Sequence, residues 1–429
     1  MPTLNWIGAM IGLIVAVILI LKKITPVYAL ITGAILGGLA GGASLSQTVS
    51  IIISGTSSVM GAVVHVISAG VLAGILIESG AAEKISETIV ERLGERRVLL
   101  AIALATMIMT SVGVFNTVAI IIVAPIAMSV GKRIGITKSA ILFTMIGGGK
   151  AGNMISPNPN TIAAAQGFNL DLASVMIAGF IPAVVGLIVT YIIARFINSK
   201  CVHVQEVEWE YRSVNTRNKP SFAKSMVAPI TAILLLAINP IGNILNIKTF
   251  MEFYVDSIII LPSAALIGLL AMGQVKEVVS YTTSGLDRMT STVIILIGAG
   301  AIAGVVSNSN LSDVIVDGVK LIGIPGTFLA PIVGILMGAT MASTSIGTIV
   351  ATSTFGKAIL STGVAPLNAA VMLHTGATVI DHLPHGNFFH VTRESVKMEI
   401  KDRLKIIPYE SIVGGVMCLV ATILYGLLR

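Results

Sequence analysis

Charge is scarce in this chain. Only 11% of its 429 residues are Asp, Glu, Lys or Arg, against about 25% in a soluble domain. So little charge cannot cover a globular surface in water, and an ordinary soluble fold is excluded. Aromatic residues are also few, at 5%. There are two cysteines, Cys201 and Cys418. They lie far apart, without metal or redox spacing. No GxxxxGK[ST] loop is present, so ATP drive from this chain is not expected. The N-terminus lacks a basic region and a cleavage site. MPTLNWIGAMIGLIVAVILILKK is expected to be a retained first span rather than a signal peptide.

What is abundant is apolar surface. The chain is 55% hydrophobic, with a mean hydropathy of +0.95. The expected fold class is an all-α polytopic membrane protein, with about ten spanning helices and two re-entrant hairpins in two inverted repeats. Spans are expected at 5–21, 25–43, 58–78, 139–165 and 173–195. In the second half they fall at 226–246, 255–272, 289–308, 365–390 and 408–428. Amphipathic surface pieces lie near 83–97 and 311–322. The first repeat covers 1–195 and the second 225–429. The long polar stretch 196–224 is the cytoplasmic linker between them.

Two stretches are too apolar for loops and too rich in Gly, Asn, Thr and Pro for ordinary spans. At 98–130, two apolar pieces of about 22 Å each flank a Gly113–Asn116 tip. That is short of the ~30 Å hydrocarbon core and suggests a re-entrant hairpin. The helix after it, 139–165, is interrupted over Gly152–Asn160 by Pro157 and Pro159. A second hairpin at 327–357 and a second broken helix at 365–390 repeat the plan. GVLAGILIES at 70–79 aligns with GAIAGVVSNS at 300–309, an offset of 230. The hairpin residue Thr117 falls on Thr348.

Placing Lys22 and Lys23 in the cytoplasm and alternating puts 22 of the 27 Lys and Arg on that side. This is the positive-inside bias. It accounts for the net charge of +7 without nucleic acid. The first hairpin then enters from the cytoplasm and the second from outside. Inverted repeats with interrupted helices at the midplane are a transporter architecture.

Helix ends at such tips and breaks present unpaired N–H groups, a ready anion site. The candidate substrate-binding residues are Ser111, Asn116 and Thr117 at the first tip, and Asn153, Ser156, Asn158, Asn160 and Thr161 at the first break. Ser345, Gly347 and Thr348 belong to the second tip, Thr375 and Thr378 to the second break. Many small donors and few aromatics fit a compact hydroxylated or carboxylated solute. Ser, Thr and Gly at these places also serve close helix packing. Ionisable groups at membrane depth are functional candidates by default. Here they are Asp381, His382 and Lys150, read as the coupling-ion group, with Asp381 the proton or cation site. A structural ion pair between Asp381 and Lys150 is the competing account. His65 reads as a packing residue. The string DHLPH could supply metal ligands through Asp381, His382 and His385, but no second ligand cluster or HExxH signature accompanies it. No metal, cofactor or catalytic residue is expected, beyond H+ or Na+ as coupling ion.

The chain resembles the gluconate permease (GntP) family of the ion transporter superfamily. Members carry a PPHPGP-type break, a GSATVA-like second tip and an SHVNDxxFW-like segment. Here SPNPNT (156–161), TSIGTI (344–349) and TVIDHLPHGNFFH (378–390) stand in the same order and spacing. Asn158 takes the place of the family's break histidine. The resemblance implies proton-coupled uptake of a gluconate-like sugar acid or hydroxy carboxylate across the cytoplasmic (inner) membrane. It also implies a homodimer with one moving substrate-binding unit per protomer. A cation/proton antiporter is the alternative, with an intramembrane metal-dependent enzyme or a channel behind it.

Overall fold

The computed structural model describes residues 4–94, 97–200, 219–249, 255–322 and 325–428. Most of the expected linker therefore lies outside the described residues. Within them the architecture is all-helical, with one isolated bridge between Leu4 and Ser309.

The first helices show the membrane pattern. In α1 (Trp6–Leu21), Ile7, Ile11, Ile14 and Ile18 face outward. Gly8 and Gly12 face α2 (Pro26–Ala40) so closely that a Cβ on Gly12 would meet the Gly33 carbonyl at 2.5 Å. Large apolar groups turn to lipid and small ones to the neighbouring helix.

The span expected at 58–78 is α4 (Met60–Glu78), and a helix that was not expected, α3 (Leu45–Ser58), precedes it. The start of α3 is set by a capping box, with Ser44 and Gln47 satisfying each other's backbone. Polar residues Ser46, Thr48 and Ser50 hide this helix from a hydropathy reading. Thr48 and Ser50 return their hydroxyls to carbonyls four residues back. The amphipathic α5 (Ala81–Leu93) follows, then α6 (Val98–Ser111) and α7 (Asn116–Ile134).

The tip between α6 and α7 turns at Gly113, whose φ of 101° only glycine adopts cheaply. The C-terminal half of α7 returns to α5, which itself feeds α6, so the pair is a hairpin. Its second arm is longer than expected. At 19 residues it reaches about 28 Å.

The first broken helix is α8 (Lys138–Asn153) and α9 (Pro159–Gly167), with the break at 154–158 rather than 152–160. The helix then turns by 109° into α10 (Leu172–Ala178), and the following span, α11 (Phe180–Lys200), starts only at 180. Helices α12 (Phe222–Ser225), α13 (Val227–Leu245) and α14 (Ser257–Met272) open the second half. Next comes α15 (Val278–Ser307), 30 residues long where a span of 289–308 was expected. Helix α16 (Leu311–Ile322) and the second hairpin, α17 (Leu329–Met341) with α18 (Thr344–Ser361), follow. The second broken helix is α19 (Pro366–Ala377) and α20 (Asn387–Ser395). The last helix, α21 (Ile400–Thr422), begins eight residues before the expected 408. Among the described residues, five helical stretches are long and apolar enough to cross a bilayer, among them Met60–Glu78, Phe180–Ser199 and Val275–Ser307.

Glycines pair across the two halves of the chain. A Cβ on Gly285 would lie 2.1 Å from the Gly70 carbonyl and 3.2 Å from Gly74 Cα. One on Gly55 would lie 2.3 Å from the Gly300 carbonyl and 2.6 Å from Gly304 Cα. Gly55, Gly70 and Gly74 map onto Gly285, Gly300 and Gly304 at the same offset of 230. The contact is reciprocal, as it is between two-fold-related copies. Helix α15 thus does in one piece what α3 and α4 do in two.

Candidate functional site

The two tips and two breaks meet around a cavity of about 260 Å³. The first hairpin contributes Phe115, Asn116 and Thr117, and the first break Asn153, Asn158 and Asn160. The second hairpin contributes Met341 to Ile346. Asp381, Asn387 and Phe388 come from the second break, and Ser291, Thr292 and Ile295 from α15.

Local sequence explains each approach. Pro159 starts α9, and Asn158 caps it by accepting from the N–H groups of Asn160 and Thr161 at 3.0 and 3.1 Å. Ser343 caps α18 by accepting from Ile346 N–H at 3.4 Å. The N–H groups expected to be free at these two ends are therefore occupied. Of the four helix starts at the tips and breaks, those of α7 and α20 have no side-chain cap. Both reach the cavity, through Asn116–Thr117 and Asn387–Phe388, so the anion-attracting ends are these two. Ala342 turns the second tip at φ 43°, an uncommon left-handed alanine on the cavity wall.

Asn116, Thr117, Asn153, Asn158, Asn160, Ser345 and Asp381 line the cavity. Ser345 also donates its hydroxyl to Asn160 Oδ1, joining the second tip to the first break. The other candidates sit behind the wall. Ser111 returns its hydroxyl to the Ile108 carbonyl, and Ser156 bonds the Thr110 carbonyl. Thr161 bonds the Asn153 carbonyl at 3.3 Å. Thr375 and Thr378 bond carbonyls of their own segment. Gly347 serves packing, because a Cβ there would meet Gly338 Cα at 2.7 Å. The hydroxyl of Thr348 and the Oδ1 of Asn116 are buried without a hydrogen-bond partner among the described residues.

Beneath the cavity runs a buried charged chain. Lys150 Nζ is 2.5 Å from Asp381 Oδ1 and donates to the Thr378 carbonyl. Thr344 donates its hydroxyl to the other oxygen of Asp381. His382 Nδ1 lies 2.9 Å from Asp381 Oδ1 and 3.0 Å from Lys150 Nζ. Its Nε2 faces the Ile407 carbonyl and Ser411 Oγ, each at 3.1 Å. Glu410 Oε2 is 3.6 Å from His382 Nδ1, and Glu410 is held by both guanidinium nitrogens of Arg403. The competing account of Lys150 and Asp381 as an ion pair thus describes their contact.

Arg403 and Glu410 were not among the candidates. They were missed because 393–405 reads as a cytoplasmic basic segment. Both are fully buried. Their spacing of seven, which puts them on one face of α21, is the signal that could have found them. Ser291 and Thr292 were missed inside an apolar helix. His385 turns to the Thr340 carbonyl at 3.1 Å, away from His382. Among the described residues no three His, Cys, Asp or Glu side chains form a group that could hold a metal. His65 is buried with both ring nitrogens satisfied: its Nδ1 meets the Gly61 carbonyl at 2.7 Å and its Nε2 meets Asp256 at 2.9 Å.

A helical membrane protein with interrupted helices around a small polar cavity belongs to the class of permeases. The family model for the GntP family permease matches residues 4–428, and the chain belongs to that family. It is a permease family, not an enzyme family. The chain is 51% identical over 429 residues to an uncharacterized transporter of Haemophilus influenzae, covering 100% of both chains. It is 23% identical to the gluconate permease of Bacillus subtilis, over 73% of this chain and 74% of that one. Its fold resembles the crystal structure of the Alcanivorax borkumensis YdaH transporter, with a TM-score of 0.67, 14% identity and 89% of each chain covered.

Proposed function

We propose that the chain is a proton-coupled symporter of a small organic anion, a gluconate-like sugar acid or hydroxy carboxylate, in the cytoplasmic (inner) membrane. The observation that carries this reading is the central cavity. Two uncapped helix starts and a set of Asn, Ser and Thr side chains face one small space, with Asp381 on its wall. A relative named gluconate permease supports the substrate class. The two halves are read as inverted repeats, with hairpins entering from opposite faces, and the working unit as a homodimer.

The charged chain suits a single coupling proton. Lys150 and Arg403 balance Asp381 and Glu410, so with a neutral His382 the five side chains sum to zero. His382 Nε2 faces a carbonyl and carries a hydrogen. Its Nδ1 can then accept from Lys150, or carry a second hydrogen and donate to Asp381. One added proton makes the cluster +1 and complements a monoanion in the cavity. Without it, the Asp381 carboxylate repels that anion.

Purified protein in proteoliposomes should accumulate gluconate when the inside is made alkaline, in the absence of Na+. Uptake that needs Na+ would move the coupling to that ion. The buried Lys150–Asp381 pair also suits a cation/proton antiporter. In that case Na+ or K+ alone would dissipate a preset pH gradient with no organic anion present.

A further inference from the structure

A second cavity, of about 390 Å³, lies beside the first. Helices α9, α15 and α18 pass from one to the other, all in the same direction. Asn160, Ser291–Ile295 and Ser343–Ile346 face the central cavity. Gln166, Leu296–Asn308 and Thr352–Lys357 face the second. The hydrogen bond from Ser345 to Asn160 is at the central end of this series. The second cavity is therefore on the route to the base of the second hairpin, the outer face in the charge-based orientation.

Its chemistry is specific. Among the described residues Lys357 is the one charged residue of its lining, and no carboxylate accompanies it. No ion pair engages Lys357 among the described residues, and its side chain is exposed at the cavity. Several hydroxyls of the wall have already spent their hydrogens. Thr352 donates to the Thr348 carbonyl at 2.9 Å, Ser353 to the Ile349 carbonyl at 2.7 Å, and Ser58 to the Gly55 carbonyl at 2.7 Å. Asn308 donates its amide to the Gly304 carbonyl at 2.8 Å. The wall thus offers oxygen lone pairs and one ammonium, beside the hydroxyls of Ser54 and Ser307 and the amides of Gln166 and Asn169. A ligand that meets both carries hydroxyl donors and one carboxylate.

We infer that this cavity is an outer loading site for a polyhydroxylated monocarboxylate, anchored at Lys357, which the solute occupies before it reaches the central cavity. The inference rests on the transport reading and adds a second subsite to it. An exposed cation at the mouth of a low-dielectric cleft raises the local concentration of an incoming anion, in a salt-dependent way.

The test uses the full-length protein in proteoliposomes of known orientation, with gluconate as probe. K357A should raise the apparent KM from the outer face about tenfold and leave the maximal rate unchanged. It should also flatten the dependence of that KM on ionic strength, while efflux from the inner face keeps the wild-type KM. K357R should behave as wild type. An unchanged outer KM in K357A, or an equal change from both faces, overturns the loading site while the transport reading stands. Absence of gluconate uptake by the wild-type protein would remove both.

Discussion

The ammonium of Lys150 lies 2.5 Å from a carboxylate oxygen of Asp381, across 231 residues of chain and two interrupted helices. Neither helix places its charge alone. Lys150 stands one turn before the first break, and Asp381 in the second. Two charges taken from water at this depth are tolerable only as a pair, and removing one partner of such a pair costs about 3–5 kcal/mol.

That geometry predicts the behaviour of D381N. The neutral amide leaves the cluster at +1, the net charge of its protonated state, so the variant should still exchange labelled solute for unlabelled across the membrane. It should lose accumulation driven by a pH gradient. Because D381N leaves Lys150 unpaired, K150M/D381N should express better than either single variant. Counterflow measured beside gradient-driven uptake decides the matter. Wild-type pH dependence in D381N would remove Asp381 from the coupling step. Loss of counterflow as well would leave it a structural role.

Much of this was legible in the sequence, and the exceptions have physical causes. The hairpins and breaks announced themselves through Gly113, Pro157 and Pro159, because few residues allow those backbone conformations. Gly70, Gly74, Gly300 and Gly304, aligned in the sequence, make reciprocal contacts with Gly285 and Gly55 that leave no room for a side chain. Helix α3 was hidden because Ser and Thr bond their own helix backbone and so look polar only in sequence. The uncapped starts of α7 and α20 were not legible either. Which N–H groups a cap consumes depends on a rotamer, and the Asn158 carbonyl oxygen could equally have turned away from the start of α9.

Asn116 is the side chain whose loss should weaken solute binding most directly. It lines the central cavity, and its Oδ1 is buried with no partner among the described residues. It also fills the space over Gly149, where a Cβ would stand 1.8 Å from that oxygen. N116A removes both a donor and an acceptor from a site with little water, a loss of about 1–3 kcal/mol. The apparent affinity should fall roughly ten- to hundredfold at normal expression. G149A should do the same indirectly, by displacing Asn116. Substrate-induced thermal shifts of both variants check this, and an unchanged affinity in N116A removes it from the solute site.

The hairpin reading predicts which face each segment meets. The start of α6 and the basic end of α7 lie beside the same helix, α5. Single cysteines at positions 97 and 132 should therefore react with an impermeant maleimide from the same side, the cytoplasm. A cysteine at 113 should react only when the protein faces inward. Labelling of 97 and 132 from opposite faces would falsify the hairpin and with it the inverted repeat.

Arg403 and Glu410 make the last prediction. Glu410 accepts from two guanidinium nitrogens, and the Arg403 guanidinium also sits 4.9 Å over the Phe389 ring. Both residues belong to α21; Arg403, held by Glu410, ties that helix to α20 through Phe389, and the pair places Glu410 beside His382. E410Q keeps the shape but leaves a buried cation facing a neutral amide. The expected cost is about 3–5 kcal/mol, seen as a clear fall in Tm of the detergent-solubilised protein. R403M/E410M removes both charges. Replacing a buried pair with apolar residues of similar size is often neutral or stabilising, so its Tm should return to near wild type. Its transport should not return with it in the same form. Without Glu410, a protonated His382 has only Asp381 to balance it, and the pH profile of uptake should move while counterflow persists. A Tm unchanged in E410Q would mean that the pair is not the tie between the two helices. A wild-type pH profile in R403M/E410M would confine Glu410 to packing.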